Sequence, residues 1–339
     1  LGRVFENLLP ENIKKDKGAF YTPRTIVHYM CQESLINYLD TECENIDVDK
    51  IRDLISNNSK EYTLSDSELK EIDSKLHDVK ICDPAIGSGA FPVGMMNEII
   101  KTRVYANEKL NKEYTIYDLK RHCISESIYG VDLDSGAIEI AKLRLWLSLI
   151  VDEDDYHNIQ SLPNLDFKIM QGNSLIEDFH GISLDIEKKE GEQTGIFEGG
   201  QELDRLIDEL HDKQLAFLES NHPSEKKKLK KEVEQSIYNI FDSEIKKVTG
   251  LSKEEKQKMS SDLLEMTHGN KIRNFFPWKL YFADIFREKG GFDVVIGNPP
   301  WGSKLSKDEK KLYKTIYHEI DSSTPNSYAY FIGLSYKIY

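Results

Sequence analysis

The run Phe292-Asp293-Val294-Val295-Ile296-Gly297-Asn298-Pro299-Pro300-Trp301-Gly302 joins an apolar strand former to a compact polar and aromatic cluster. Its β-branched and aromatic residues predict a buried parallel strand, with the cluster just past the carboxyl end. Ligands in open α/β sheets bind at that end. Pro299 and Pro300 carry no N–H and stiffen the loop, so their carbonyls can face outward as acceptors. Asn298 adds an amide with both acceptor and donors, and Trp301 a broad face for stacking. A rigid acceptor pair beside an aromatic plate suits a planar amine drawn out of a base stack. The plainer alternative is a strand, a stiff turn and a core Trp.

Other strands also end in groups able to hold a ligand. Val79-Lys80-Ile81-Cys82-Asp83 predicts a first strand that runs into Pro84-Ala85-Ile86-Gly87-Ser88-Gly89-Ala90-Phe91 and then a helix towards Leu110. In such a βα unit the glycines let backbone approach a ligand, and the helix N-terminus favours its carboxylate or phosphate. The turn is neither G-x-G-x-x-G nor a P-loop. A packing-only turn is the alternative. Ile128-Tyr129-Gly130-Val131-Asp132 predicts a second strand whose terminal acid can accept both hydroxyls of a ribose. Leu133 and Asp134 lead from it into a helix with Ile138, Ala141, Leu145 and Leu149 at helical spacing, and Trp146 reads as core. Phe167-Lys168-Ile169-Met170-Gln171 predicts a third strand with Gly172-Asn173-Ser174-Leu175 at its tip. Asn173 there suits either an adenine edge or a simple turn.

The elements that must position these groups begin with a short apolar helix (Val4, Phe5, Leu8, Leu9) and the segment Tyr21-Thr22-Pro23. Thr22 is a candidate N-cap, with Pro23 at the first position of a helix over 24–39. Residues 41–78 read as a polar helical connection, Ser65 capping a helix through Leu76. A further helix is expected around 117–125. From Leu184 to about Trp278 the composition turns charged, with apolar positions at Leu203, Leu206, Leu210, Phe217, Val233, Ile237, Ile240 and Phe241. This predicts an inserted helical hairpin. Within it, Lys226-Lys227-Lys228-Leu229-Lys230-Lys231 reads as a solvated face sooner than a DNA contact. The triplet Glu244-Ile245-Lys246 resembles nuclease carboxylate–lysine sites, but such triplets arise by chance in a chain this charged.

The order Tyr21-Thr22-Pro23, then Asp83 to Phe91, then Asn298-Pro299-Pro300-Trp301 resembles the gamma arrangement of adenine-N6 DNA methyltransferases. Tyr or Phe is commoner than Trp in the last place. Tyr129 to Asp132 and Ala141-Lys142-Leu143-Arg144-Leu145-Trp146 are similar to the type IIG restriction–modification (Eco57I-like) group and to phage-exclusion methyltransferases. The resemblance implies an α/β, Rossmann-like methyltransferase sheet, truncated after strand 4, with an N-terminal helical segment and a helical insertion. It implies S-adenosyl-L-methionine as cofactor and a flipped adenine of double-stranded DNA as substrate. Asn298, Pro299, Pro300 and Trp301 would then be catalytic. Tyr21, Thr22, Pro23, Asp83, Ala85, Gly87, Ser88, Gly89, Phe91, Asp132, Leu133, Asn173 and Ser174 would bind the cofactor, Thr22 closing over its methionine end and Asp132 holding its ribose. Asn173 stands where many relatives carry Asp.

The implied organisation is 1–78 N-terminal with the cofactor-closing motif, 79–183 cofactor half, 184–278 insertion, and 279–339 catalytic strand, loop and following helix. Leu1 in place of Met and an abrupt end at Tyr339 suggest a fragment of a longer enzyme. Its later strands and a target-recognition domain, with or without a nuclease, would lie outside these residues, so the fragment alone is expected to methylate little or no DNA. The net charge of −14 excludes a uniformly DNA-binding surface but not a local basic groove. No apolar run approaches the roughly 20 residues of a membrane span, and no signal peptide is evident, which suggests a cytoplasmic protein. Cys31, Cys43, Cys82 and Cys123 are widely spaced, so reduced thiols are expected in place of disulfides, and no metal. Competing readings are an N4-cytosine methyltransferase, a protein-glutamine methyltransferase with its own Asn-Pro-Pro-aromatic motif, and a non-catalytic scaffold.

Overall fold

The computed structural model describes residues 22–56, 64–151, 163–182, 184, 198–220, 222–301, 305–320 and 326–339. The expected apolar helix at Val4–Leu9 and the candidate Tyr21 lie outside the described residues. Helices are numbered along the chain: α1 Arg24–Glu42, α2 Val48–Ser56, α3 Asp66–Asp78, α4 Ala90–Leu110, α5 Ile116–His122, α6 Ser135–Ile150, α7 Glu198–Glu219, α8 Pro223–Lys247, α9 Lys253–Thr267, α10 Trp278–Tyr281, α11 Ala283–Lys289, α12 Lys307–Ile316 and α13 Ser327–Ile338. The strands are β1 Ile81–Asp83, β2 Ile128–Asp132, β3 Ile169–Gln171 and β4 Val294–Val295. Two compact units emerge, one of Leu1–Gln171 with Gly290–Tyr339, the other of Gly172–Lys289.

In the first unit all strands run parallel in the order β3-β2-β1-β4. This is the α/β, Rossmann-like sheet that the resemblance implies, with its strands where the apolar runs predict them. Parallel strands need a crossover between them, and α4 and α6 follow β1 and β2 in that role. Ile81, Ile128, Val131, Ile169, Val294 and Ile296 are buried on the sheet, and Met95, Ile99, Ile138, Ala141 and Leu145 are buried on the helices. β4 is shorter than its apolar run because the chain kinks as it joins β1. The N–H groups of Asp293 and Val294 both donate to the Lys80 carbonyl, while Asp293 Oδ2 accepts from Lys80 N. Helix α1 packs on α4 at Gly94, where a Cβ would stand 2.7 Å from Val27 Cγ1. That close approach anchors α1, whose amino end carries Thr22 and Pro23.

Several local expectations needed correction. Thr22 does not cap α1: Pro23 occupies the cap position, and no side chain bonds there. Ser65 does cap α3, in a reciprocal capping box with Glu68. The connection before it contains an additional helix, α2, whose Ile51, Leu54 and Ile55 are buried. Beyond α5 the chain makes a π-helical turn, Cys123–Ser127, before β2.

The second unit is helical. Helices α7 and α8 are the expected hairpin, with Leu210, Phe217, Val233, Ile237, Ile240 and Phe241 buried. A third helix, α9, was not expected; Ser252 and Glu255 cap it, and Leu263 and Met266 are buried on its inner face. Phe179, Phe241 and Phe275 form an aromatic cluster with ring centroids 5.2–6.3 Å apart. Lys246 of the Glu244-Ile245-Lys246 triplet is ion-paired with Asp242 at 2.6 Å on α8. No helix among the described residues is long and apolar enough to cross a membrane. All four cysteines are buried and free, burial pushing Cys31 up to about 12.

Candidate active site

Parallel pairing of β4 with β1 places the Gly297–Trp301 loop and the Asp83–Gly89 turn at the same carboxyl edge of the sheet. The approach is intimate. A Cβ on Gly297 would sit 2.4 Å from Asp83 Oδ1, so only glycine lets β4 exit past that carboxylate.

Asp83 is 1% exposed. Its Oδ1 accepts from the Ala85 N–H at 3.0 Å, while its buried Oδ2 has no partner among the described residues. Burial drives its pKa up to about 8, the Ala85 N–H pulls it down, and the charge of Asp132 raises it again. A buried carboxylate oxygen with no donor is costly, and a ligand cation or donor would relieve it.

The turn after Asp83 depends on two left-handed glycines, Gly87 (φ 50°) and Gly89 (φ 80°). Gly89 also packs against Ala141 of α6, where a Cβ would stand at 3.1 Å. Gly89, at the cap position of α4, has no side chain to cap the helix. Asp132 at the end of β2 accepts from Gly87 N with Oδ2 and from Asp134 N with Oδ1, both at 2.8 Å. Arg144 on α6 donates to the Ser88 carbonyl at 2.8 Å and to its hydroxyl at 3.3 Å. Carboxylate and guanidinium thus clamp the glycine turn from both sides. Ser88 and Phe91 are buried, Ala85 and Pro23 stand nearer the surface, and Leu133 is half exposed.

In the second loop the Asn298 amide is held at both ends. Its Nδ2 donates to Thr22 Oγ1 at 3.0 Å, and its Oδ1 accepts from Trp301 Nε1 at 2.7 Å. An indole N–H can only donate, so it assigns the oxygen to the Trp301 side and the NH₂ to Thr22. Trp301 is 51% exposed and stacks on Tyr328 of α13, centroids 4.8 Å apart and planes 25° from parallel. Ser327 Oγ donates to the Pro300 carbonyl at 2.5 Å. In the first unit hydrogen bonds thus join Thr22, Asn298 and Trp301, Gly297 stands against Asp83, and Asp132 holds the Gly87 turn that follows Asp83.

Asn173 and Ser174 follow β3 directly in the chain but belong to the second unit. There Asn173 Oδ1 accepts from Leu175 N at 3.1 Å, and the Ser174 carbonyl accepts from Trp278 Nε1 at 3.0 Å. Arg144, Ser327 and Tyr328 escaped the sequence reading. Arg144 sits inside the quoted Ala141–Trp146 stretch, whereas the two residues on α13 gave no motif signal. Among the described residues no cluster of metal-ligating side chains occurs.

The donors and acceptors at the sheet edge suit a ligand that carries both a cation and an anion. Asp83 offers a lone buried oxygen to a cation, and the uncapped start of α4 offers N–H groups to an anion. The family model described as "Eco57I restriction-modification methylase" matches residues 126–339. The chain is 30% identical over 374 aligned positions to a Methanocaldococcus jannaschii protein named "Putative type II restriction enzyme and methyltransferase", covering 93% of this chain and 31% of the relative. It is 26% identical over 192 positions to the Escherichia coli type II restriction enzyme and methyltransferase Eco57I, covering 52% of this chain and 18% of that protein. The chain thus spans a third or less of the length of these relatives.

Proposed function

This chain belongs to the Eco57I restriction–modification methylase family, and we propose that it carries the S-adenosylmethionine-dependent transfer of a methyl group to adenine N6 in double-stranded DNA. What supports this most is the Asn298 amide, poised at the carboxyl end of β4 beside Asp83 and oriented by Thr22 and Trp301. The relatives' names tie such chains to restriction and methylation together.

Adenine N6 is a poor nucleophile because its lone pair is shared with the ring. Asn298 Oδ1 and the Pro299 carbonyl accept its two N–H bonds, which favours a pyramidal nitrogen with an available lone pair. Trp301 stacks on the flipped base. Base entry exchanges the indole N–H on Asn298 Oδ1 for an adenine N–H, so the acceptor is never left unpaired. Asp83 and the Gly87–Gly89 turn hold the methionine end of S-adenosylmethionine with Thr22 closing over it, and Asp132 holds the ribose. When bound, that cofactor supplies a methyl group on a cationic sulfur. Because the donor is already reactive, the chain's chief contribution is alignment. In this reading 1–78 closes over the cofactor, 79–183 binds it, 184–278 is an insertion, and 279–339 presents the base-binding loop.

The test is tritiated methyl transfer by the natural gene product containing these residues, followed by nucleoside analysis. N6-methyladenine in DNA, lost in Asn298→Ala, is expected. N4-methylcytosine or methylated protein glutamine as the product would overturn the adenine assignment. Absence of S-adenosylmethionine binding would overturn methyl transfer altogether.

A further inference from the structure

Helix α12 follows the Asn298–Trp301 loop directly in the chain and is unlike the other charged segments. Ser306 and Glu309 form a capping box at its start. Tyr313 and Tyr317 are buried on one side, their rings 5.2 and 5.8 Å from that of Tyr330 on α13. Lys337 of α13 lies over the Tyr317 ring at 4.8 Å and donates to the Ile316 carbonyl at 3.1 Å. These contacts fix which way the rest of the helix faces.

At 3.6 residues per turn Lys307, Lys310, Lys311 and Lys314 fall within an arc of about 100° beside that tyrosine seam; Asp308 borders the arc next to Lys311, and Glu309 falls on the far side. All four lysines are exposed, and none is ion-paired with another described residue. By contrast, Lys228 in the longer basic run of α8 pairs with Glu232 at 3.4 Å. The pairs Lys307/Lys311, Lys310/Lys314, Lys307/Lys310 and Lys311/Lys314 stand at helical neighbour spacings, where like charges repel. An unneutralised face of this kind, in a chain of net charge −14, is best explained by an anionic partner that relieves the repulsion.

We propose that the Lys307–Lys314 face of α12 grips the phosphate backbone of duplex DNA beside the nucleotide drawn out to Asn298 and Trp301. The inference rests on the methyltransferase reading above and adds a surface to it. Lys307 to Lys314 span about 10 Å of helix axis, comparable to the rise of about three base pairs of duplex. Phosphate contacts carry no sequence information but set register, which is what the start of a base-flipping loop requires.

The test measures binding of a fluorescently labelled duplex of about 30 base pairs to the natural gene product, at several salt concentrations between roughly 50 and 300 mM. The triple variant Lys307→Gln/Lys311→Gln/Lys314→Gln is expected to reduce the slope of log affinity against log salt by about 2–3 and to weaken binding tenfold or more at low salt. S-adenosylmethionine binding, measured by calorimetry, should stay unchanged and shows that the variant is folded. Lys226→Gln/Lys227→Gln/Lys228→Gln removes the same charge from α8 and should leave the slope intact. An unchanged slope in the α12 variant overturns the proposal, as it would if the face served an acidic protein partner. Equal losses in both variants also overturn it, as a mere effect of net charge. If wild type methylates DNA while the α12 variant binds it normally, this surface alone is refuted. If wild type neither binds duplex nor transfers methyl, the methyltransferase reading fails first.

Discussion

Replacing Asp83 with Asn removes a carboxylate whose ionisation the fold opposes. Burial lifts its pKa from 3.8 to about 8 despite the Ala85 N–H. In the unfolded chain the same group titrates near 3.9. The folded value lies above the unfolded one, so the stability contributed by the protonated form is fully present below about pH 4 and is lost as pH rises to about 8. At about 1.4 kcal/mol per pKa unit the loss has a ceiling of about 6 kcal/mol, and relaxation around the group reduces this to about 1–3 kcal/mol. Asn keeps an oxygen for the Ala85 N–H and places a neutral NH₂ where Oδ2 has no partner among the described residues. A neutral orphan costs less than a charged one. Without ligand, Asp83→Asn is therefore expected to melt a few degrees above wild type at pH 8, the difference vanishing near pH 4. If Asp83 holds the cofactor as proposed, the same substitution removes the charge it offers, and S-adenosylmethionine affinity at pH 8 should fall at least tenfold. Melting curves at several pH values, paired with calorimetric titration, measure both quantities. A variant less stable than wild type at pH 8, or a stability difference that does not vary with pH, would refute the account of Asp83.

Thr22→Val deletes the acceptor that orients the Asn298 amide; methylation kcat should fall tenfold or more while the melting temperature holds within a degree or two. Trp301→Phe keeps a ring for Tyr328 and the base but frees Asn298 Oδ1, so activity should stay within about threefold, whereas Trp301→Ala forfeits stacking worth about 1–3 kcal/mol and should raise KM for DNA at least tenfold. Gly297→Ala drives a methyl to 2.4 Å from Asp83 Oδ1; denaturant unfolding should show about 1–3 kcal/mol of lost stability, and both cofactor binding and methyl transfer should disappear.

Much of the architecture was legible from short stretches. Apolar runs ending in Asp83, Asp132 and Gln171, each followed by turn residues, announce parallel strands because strand propensity and turn chemistry act over a few neighbours. Ser65 and Glu68 announce the start of α3 for the same reason. Helix α9 carries the same start signal at Ser252 and Glu255, with Met259, Leu263 and Met266 at helical spacing, so it too is legible in the sequence although no helix was expected there. The Asn-Pro-Pro-Trp cluster and the glycine turn could be picked out as chemically equipped, yet nothing local says what each side chain meets. Thr22 reads as a helix cap until the fold carries it across 276 residues of sequence to Asn298. Asp83 reads as an ordinary acid until β4 and the glycine turn shut water away from it. Ser327 and Tyr328 belong to no motif and acquire a role only by lying against Pro300 and Trp301. Residue type limits what a side chain can do, whereas its protonation, orientation and partners depend on which distant segments the packed core forces together.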